Sequence, residues 1–376
     1  MKKIMLIPCQ MKNIILFLFC KLLGIFAEHK HWVLFERGTD ARDNAYCFYK
    51  YLKSNHPEIK VYYIIDKKSA DCEKVKEDAV HLGSFKNYLV LATAKKIVST
   101  HYGCGFPYPS ETLFKFLGLY KQFYFLQHGV IKECLVSLFG DRAPMKLFVC
   151  GAKPEYDYIL STFKHPKGVV KYTGLARYDN LHNITVKKQI LIMPTWRRYL
   201  KDEKNFLNSE YFRNWQSLIN NTELITLLKE NDIKLIFYPH YEMQEYISHF
   251  KSETDLVEIA DFAHYDVQTL LKESCLLITD YSSVYFDFAY MNKPSIYFQF
   301  DKETYNKNHY QKGYFDFEEN GFGPVCMQSE DVVRNVIEYT KNNFKLDDIY
   351  RERASKFFVL HDQKNCERIF EAIISN

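Results

Sequence analysis

The sequence predicts an α/β protein built from two doubly wound, Rossmann-like domains, and three observations carry that expectation. At 376 residues the chain exceeds what one ordinary core accommodates, and two domains are the natural division. From Trp32 onward, short apolar runs alternate with longer amphipathic ones, the pattern of βα units around a parallel sheet covered on both faces. The alternation runs through two series, separated by the polar stretch Arg177 to Lys188. Two such domains facing one another enclose a central cleft lined by the C-terminal ends of their strands, where ligands of open α/β sheets bind.

The elements follow in order. Residues 1–28 open with Lys2 and Lys3 and contain NIILFLFC between Lys12 and Lys21, too short and too interrupted by charge for the roughly 20 apolar residues of a membrane span. Residues 25–27 are Ile-Phe-Ala, which is not a small-x-small cleavage site. Two alternatives stay open for this segment: an interfacial helix whose lysines attract anionic lipid, or a plain packing helix. The first domain, 29–180, has WVLFE, VYYIID, KIVST, FYFLQ and LFVCG as strands, with helices near 43–54, 69–78, 85–95 and 154–163. The second, 181–345, has QILIMP, KLIFYP, LVEIA, CLLITD and SIYFQF, with helices near 209–229, 242–251, 266–273 and 283–291. Residues 346–376 carry apolar positions at helical intervals and are expected to pack across the junction.

Composition narrows the function. Hydrophobic residues at 47% and charged ones at 26% describe a globular chain, not a disordered one. A net charge of +4 argues against a dedicated nucleic-acid binder, while leaving anionic substrates or a membrane surface open. The ten cysteines form neither a C-x-x-C pair nor a Cys/His cluster at zinc spacing, so no structural metal and no disulfide framework is expected, and a reducing cytosolic compartment fits.

The chemically capable residues fall just past strands. Gln127-His128-Gly129 follows FYFL, Thr195-Trp196-Arg197-Arg198 follows ILIMP, Pro239-His240 follows KLIFY, and Asp280 to Ser283 follows LLIT. Ser282 and Ser283 stand at a strand-to-helix junction, where unpaired backbone N–H groups favour an anion and small hydroxyls add donors without blocking it. Histidines, arginines and hydroxyls together suit a pyrophosphate, and a metal-free His can take a proton from an attacking hydroxyl near neutral pH. His101-Tyr-Gly-Cys-Gly also follows a strand, and its glycines read as a tight turn more readily than as a ligand cradle.

Other chemistries lack their motifs. There is no G-x-x-x-x-G-K-[ST] and no G-x-G-x-x-G opening a helix, so nucleotide triphosphatase and dinucleotide readings have no phosphate loop. No D-x-D and no G-x-S-x-G elbow is present, which weakens a metal-dependent nucleotide-sugar transferase and a hydrolase.

With these residues in view, the chain resembles the CDP-glycerol glycerophosphotransferases of teichoic acid and phosphopolyol capsule synthesis. FERGTDARDNAYCFYKYL is similar to that family's opening Asp-Asn segment, QHGVIKECL to its His-Gly motif, and TGLARYDNL to the glycine-to-arginine motif before the second domain. IMPTWRR, YPH, LLITDYSSVYFDFAYMNKPSIYFQFD and GYFDFEENGFGPV resemble its later blocks in order, over most of the chain after Trp32. Two departures stand out, and the first surrounds the His-Gly pair: Gln127 precedes it, where many members have Trp, and Val130-Ile131 follow it, where many have Thr-Pro. Ala176 replaces a common Pro before the linker arginine.

The resemblance implies a GT-B architecture, a peripheral position on the cytoplasmic face of the cell membrane, and transfer of a polyol phosphate from a CDP-polyol to a lipid-linked or capsular glycan acceptor, releasing CMP. It implies no cofactor and no metal beyond the donor substrate itself. By resemblance His128 is the general base, His240, Arg177, Arg197, Ser282 and Ser283 hold the diphosphate, and Asp287 contacts the donor. Gly129, Lys132, Thr195 and Trp196 lie inside matching motifs as substrate-binding candidates. A nucleotide-sugar GT-B glycosyltransferase and a catalytically silent membrane-associated scaffold remain the competing expectations.

Overall fold

The computed structural model describes residues 2–26, 29–200, 202–308 and 311–376. Of the segment 1–28, Met1, Ala27 and Glu28 therefore lie outside the described residues. The chain divides into two compact units: Met1–Val130, Val136–Asn180 and Leu360–Asn376 form the first, Ile131–Leu135 and Leu181–Val359 the second.

The first unit holds a seven-stranded sheet of β1 (Trp32–Phe35), β2 (Val61–Ile65), β3 (Ala79–His81), β4 (Lys96–Ser99), β5 (Phe123–Phe125), β6 (Leu147–Cys150) and β7 (Val170–Tyr172). Their spatial order is β3-β2-β1-β4-β5-β6-β7, every neighbour parallel. Burial on both faces explains why β1, β5 and β6 read as unbroken apolar runs. The second unit holds β8 (Gln189–Met193), β9 (Lys234–Phe237), β10 (Val257–Ile259), β11 (Leu276–Thr279), β12 (Ser295–Phe298) and β13 (Val325–Cys326), in the order β10-β9-β8-β11-β12-β13, again parallel. Its core gathers Ile190, Phe237, Ile278 and Phe298 around Trp215, whose ring meets Phe298 edge-on at 5.2 Å. Each such buried side chain contributes about 1.5–3 kcal/mol of apolar burial.

In both sheets the strand order reverses once, between β1 and β4 and between β8 and β11. The loops leaving those strands are where an open α/β sheet receives a ligand.

Helix α1 (Lys2–Leu23) packs on α3 (Phe85–Thr93), burying Phe17 and Cys20, while Tyr88 Oη donates to the buried Asn13 Oδ1 at 2.7 Å. Its outward stripe is also apolar: Met11, Ile15, Leu18, Phe19 and Leu22 are about half exposed or more, 50–63%. Among the described residues no helix is long and apolar enough to cross a membrane.

Several elements differ from the sequence expectation. The helix near 209–229 is two, Glu210–Ile219 and Thr222–Asn231, because the Asn221 side chain accepts from Leu224 N and starts a new helix. The helices expected near 69–78 and 242–251 are 3₁₀ helices, Ala70–Val75 and Tyr241–His249. The stretch 301–345, for which no element is expected above, holds β13 and the helix Ser329–Lys341.

At the C-terminus, helix Asp348–Phe357 belongs to the second unit and Asn365–Ile374 to the first. Asp179 caps the latter, its carboxylate accepting from Asn365 N at 2.9 Å and Cys366 N at 2.8 Å. Gly174 admits that helix: at φ +77° it is left-handed, and a Cβ there would lie 1.8 Å from Asn365 Oδ1.

Candidate active site residues

In the first unit the site begins where β1 ends. Glu36 is buried, and its carboxyl accepts from the backbone N–H groups of Arg42 (3.0 Å), Asp43 (2.8 Å) and Tyr46 (3.1 Å). Those donors belong to the start of α2 (Asn44–Asn55), so Glu36 supplies the capping function. Asp43 occupies the N-cap position yet makes no side-chain cap bond, which leaves its carboxylate for other partners.

Those partners are His128 and Arg177. Asp43 Oδ2 stands 2.5 Å from His128 Nδ1, and Asp43 Oδ1 accepts from Arg177 Nη1 at 2.9 Å. Arg177 Nη1 also donates to the His128 carbonyl at 2.6 Å. Burial works against the Asp43 anion, but His128 and Arg177 outweigh it and hold the carboxyl down at about 2. An ionised Asp43 accepts Nδ1–H, so the imidazole presents Nε2 as a lone pair. With its side chain 56% accessible, His128 can meet a substrate.

The neighbouring residue Asn44 ties the same two loops through their backbones. Its Nδ2 donates to Gln127 O at 2.9 Å, and its Oδ1 accepts from Arg177 N at 2.9 Å. Gln127 adopts φ +61°, a left-handed conformation costly for a side-chain-bearing residue, and its amide is anchored on Val149 O and on Glu155 Oε1 at 3.1 Å. That strained residue turns the chain from β5 into the exposed His128, with half-buried Gly129 next.

In the second unit the loops after β8 and β11 are fastened together. Asp280, fully buried, accepts from Thr195 N at 2.8 Å and Tyr281 N at 2.6 Å. Arg197 has no exposed surface and pairs with Asp280 at 2.8 Å and Asp301 at 2.7 Å. The expectation that Arg197 grips a diphosphate is therefore not met in this geometry, because its guanidinium is committed to two buried carboxylates. Arg198, exposed, lies over the Trp196 ring at 5.9 Å, and Trp196 stacks on His240 with centroids 6.3 Å apart. His240 Nδ1 accepts from Glu242 N at 3.2 Å, which leaves Nε2 as the protonated, donating nitrogen.

Ser282 and Ser283 are half-buried at the junction of β11 and the helix Val284–Tyr290. Ser283 is the N-cap, but its hydroxyl makes no capping bond. The Thr195 hydroxyl is buried without a partner among the described residues, at a cost of about 1–3 kcal/mol, and presents no surface to a donor. Lys132 is buried, donating to Tyr281 O at 2.9 Å and pairing with Glu133, so it braces the 131–135 segment beside the serines. Asp287, only 1% exposed inside the helix, presents no surface to a donor.

Asp43, Asn44, Asp280 and Asp301 are the participants that the sequence did not single out by role. Among the described residues no group of three or more His, Cys, Asp or Glu side chains is arranged to hold a metal ion.

The sequence profile described as CDP-Glycerol:Poly(glycerophosphate) glycerophosphotransferase matches residues 19–133 and 146–375. The minor teichoic acid biosynthesis protein GgaB of Bacillus subtilis (strain 168) is 36% identical over 368 residues, covering 93% of this chain and 40% of that protein. The teichoic acid poly(glycerol phosphate) polymerase of the same organism is 26% identical over 382 residues, 91% of this chain and 48% of that protein. This chain thus spans less than half of either relative. The solved wall teichoic acid polymerase TagF superposes with a TM-score of 0.71 at 18% identity, covering 100% of this chain and 95% of that one. The fold is GT-B-like, two Rossmann-like units as the sequence implied.

Proposed function

The chain belongs to the CDP-glycerol:poly(glycerophosphate) glycerophosphotransferase family, and from that premise we propose that it transfers a polyol phosphate, glycerol phosphate first among the choices, from a CDP-polyol to an acceptor hydroxyl in teichoic acid or capsule synthesis. The observation that carries the proposal is the Asp43–His128 pair, an accessible imidazole with its lone-pair nitrogen fixed by a buried anion.

In this mechanism His128 Nε2 takes the proton of the acceptor hydroxyl as its oxygen attacks the β-phosphorus. The new O–P bond forms while the bond from that phosphorus to the bridging oxygen breaks, and the electron pair leaves with CMP. Such a transfer asks the protein for in-line positioning and fixed donors more than for covalent chemistry. His240, Ser282 and Ser283 supply donors to the diphosphate, and Trp196 with Arg198 flanks them. Arg177 and Arg197 act as positioning residues, one for the base and one for the serine loop.

The proposed acceptor is a hydroxyl of a lipid-linked or polysaccharide chain, met at the cytoplasmic face of the membrane. The support is the outward apolar stripe of α1, flanked by exposed Lys12 and Lys21.

The test is acceptor-dependent nucleotide release with CDP-glycerol, CDP-ribitol and UDP-sugars, using a short-chain lipid primer ending in glycerol phosphate. The proposal expects CMP from CDP-glycerol. UDP release from a UDP-sugar with no CMP from either CDP-polyol would identify a glycosyltransferase instead.

A further inference from the structure

The motif His101-Tyr-Gly-Cys-Gly divides into two parts in the structure. Its glycines are structural: Gly103 (φ +79°) lets the chain approach Glu111 N, where a Cβ would lie at 2.8 Å, and Gly105 (φ +95°) lies against the Phe35 ring. His101 faces elsewhere. Strand β4 lies between β1 and β5, so the loop leaving it opens between the loops that carry Asp43 and His128. The His101 and His128 ring centroids are 5.2 Å apart.

The residue is held firmly. Its backbone N donates to Ser99 Oγ at 3.1 Å, Ser99 Oγ donates to its carbonyl at 3.2 Å, and its Nδ1 lies 2.8 Å from the buried Thr100 hydroxyl. Nε2 has no hydrogen-bond partner among the described residues. Burial, then the proximity of His128 and Arg37, pushes the imidazole down to about 3, so it is uncharged at any working pH. A neutral ring suits a hydroxyl better than a phosphate.

We propose that His101 is an acceptor-binding catalytic residue: Thr100 donates to Nδ1, and Nε2–H donates to the oxygen of the hydroxyl whose proton His128 removes. The donated bond orients the nucleophile and strengthens as its oxygen gains charge. This inference rests on the assignment of His128 as the base.

The test compares His101→Gln, whose amide nitrogen can replace Nε2–H, with His101→Leu, which keeps bulk without a donor. Acceptor kcat/KM, donor KM and melting temperature are measured with the lipid primer and CDP-glycerol. The expectation is a loss of about 10²-fold in acceptor kcat/KM for His101→Leu, a loss within tenfold for His101→Gln, and unchanged donor KM. Should His101→Leu fold poorly, Thr100→Val leaves the ring in place and is expected to lower acceptor kcat/KM with donor KM unchanged. Equal losses in the Gln and Leu variants, no loss in either, or for Thr100→Val an unaltered acceptor kcat/KM, would overturn the inference. If His128→Ala is inactive in the same assay, such a result removes His101 alone; if His128→Ala is active, the underlying assignment fails first.

Discussion

Asp43 and His128, 85 residues apart in sequence, meet at 2.5 Å with the carboxylate on Nδ1, so the imidazole is oriented before any substrate arrives. Asp43→Asn preserves the shape but offers Nδ1 a competing amide donor, favouring the wrong tautomer. The expected result is a kcat lower by roughly 10²–10⁴-fold with a native circular dichroism spectrum, measured as steady-state CMP release. A loss below about fivefold would remove Asp43 as the orienting group.

Arg197 and Arg198 are adjacent and are expected to behave oppositely. Arg197→Met strands Asp280 and Asp301 as unpaired buried anions and is expected to destabilise the fold by about 3–5 kcal/mol in denaturant titration. Arg198→Ala is expected to melt like the parent and to raise donor KM about tenfold.

Glu36 gives a pH dependence of definite sign. Burial first, then the charges of Asp43 and Asp40, raise its carboxyl from 4.5 to about 8, even though three backbone N–H groups favour the anion. Between those values the native state keeps a proton that the unfolded chain has released, so this group's contribution to stability falls as pH rises through that window. Glu36→Gln is uncharged throughout. Its melting temperature relative to the parent is therefore expected to rise from about pH 5 to about pH 8; a constant difference would show Glu36 to be ionised in the native state.

The outward stripe of α1 is testable without disturbing its inward face. Deleting residues 1–28 would also remove Phe17, Cys20 and the Asn13–Tyr88 bond, so substitution is the cleaner experiment. Leu18→Gln, Phe19→Gln and Leu22→Gln combined are expected to weaken partitioning onto anionic liposomes tenfold or more, with little change in melting temperature. Unchanged partitioning would reject the membrane contact.

The sheets were legible because strands buried on both faces must be apolar throughout, as Gln189–Met193 and Leu276–Thr279 largely are. Strands β3, β7 and β13 were not, being two or three residues long with exposed or half-exposed positions. Local chemistry also placed His128, Thr195, His240 and the serine pair at strand ends. Partners distant in sequence stayed hidden. Nothing local shows that Glu36 caps the helix after Asp43 and leaves the Asp43 carboxylate for His128, and Arg197 reads as a phosphate ligand until Asp301, 104 residues on, is seen to claim it. His101 was masked by the glycines beside it, which do form the turn that they suggest.

The most direct measurement is single-turnover CMP release by His128→Ala, with CDP-glycerol and the lipid primer both saturating. The expected rate is at least about 10³-fold below the parent, with unaltered donor binding and melting temperature. A rate within tenfold of the parent would contradict it, because no proton acceptor would then be required at His128.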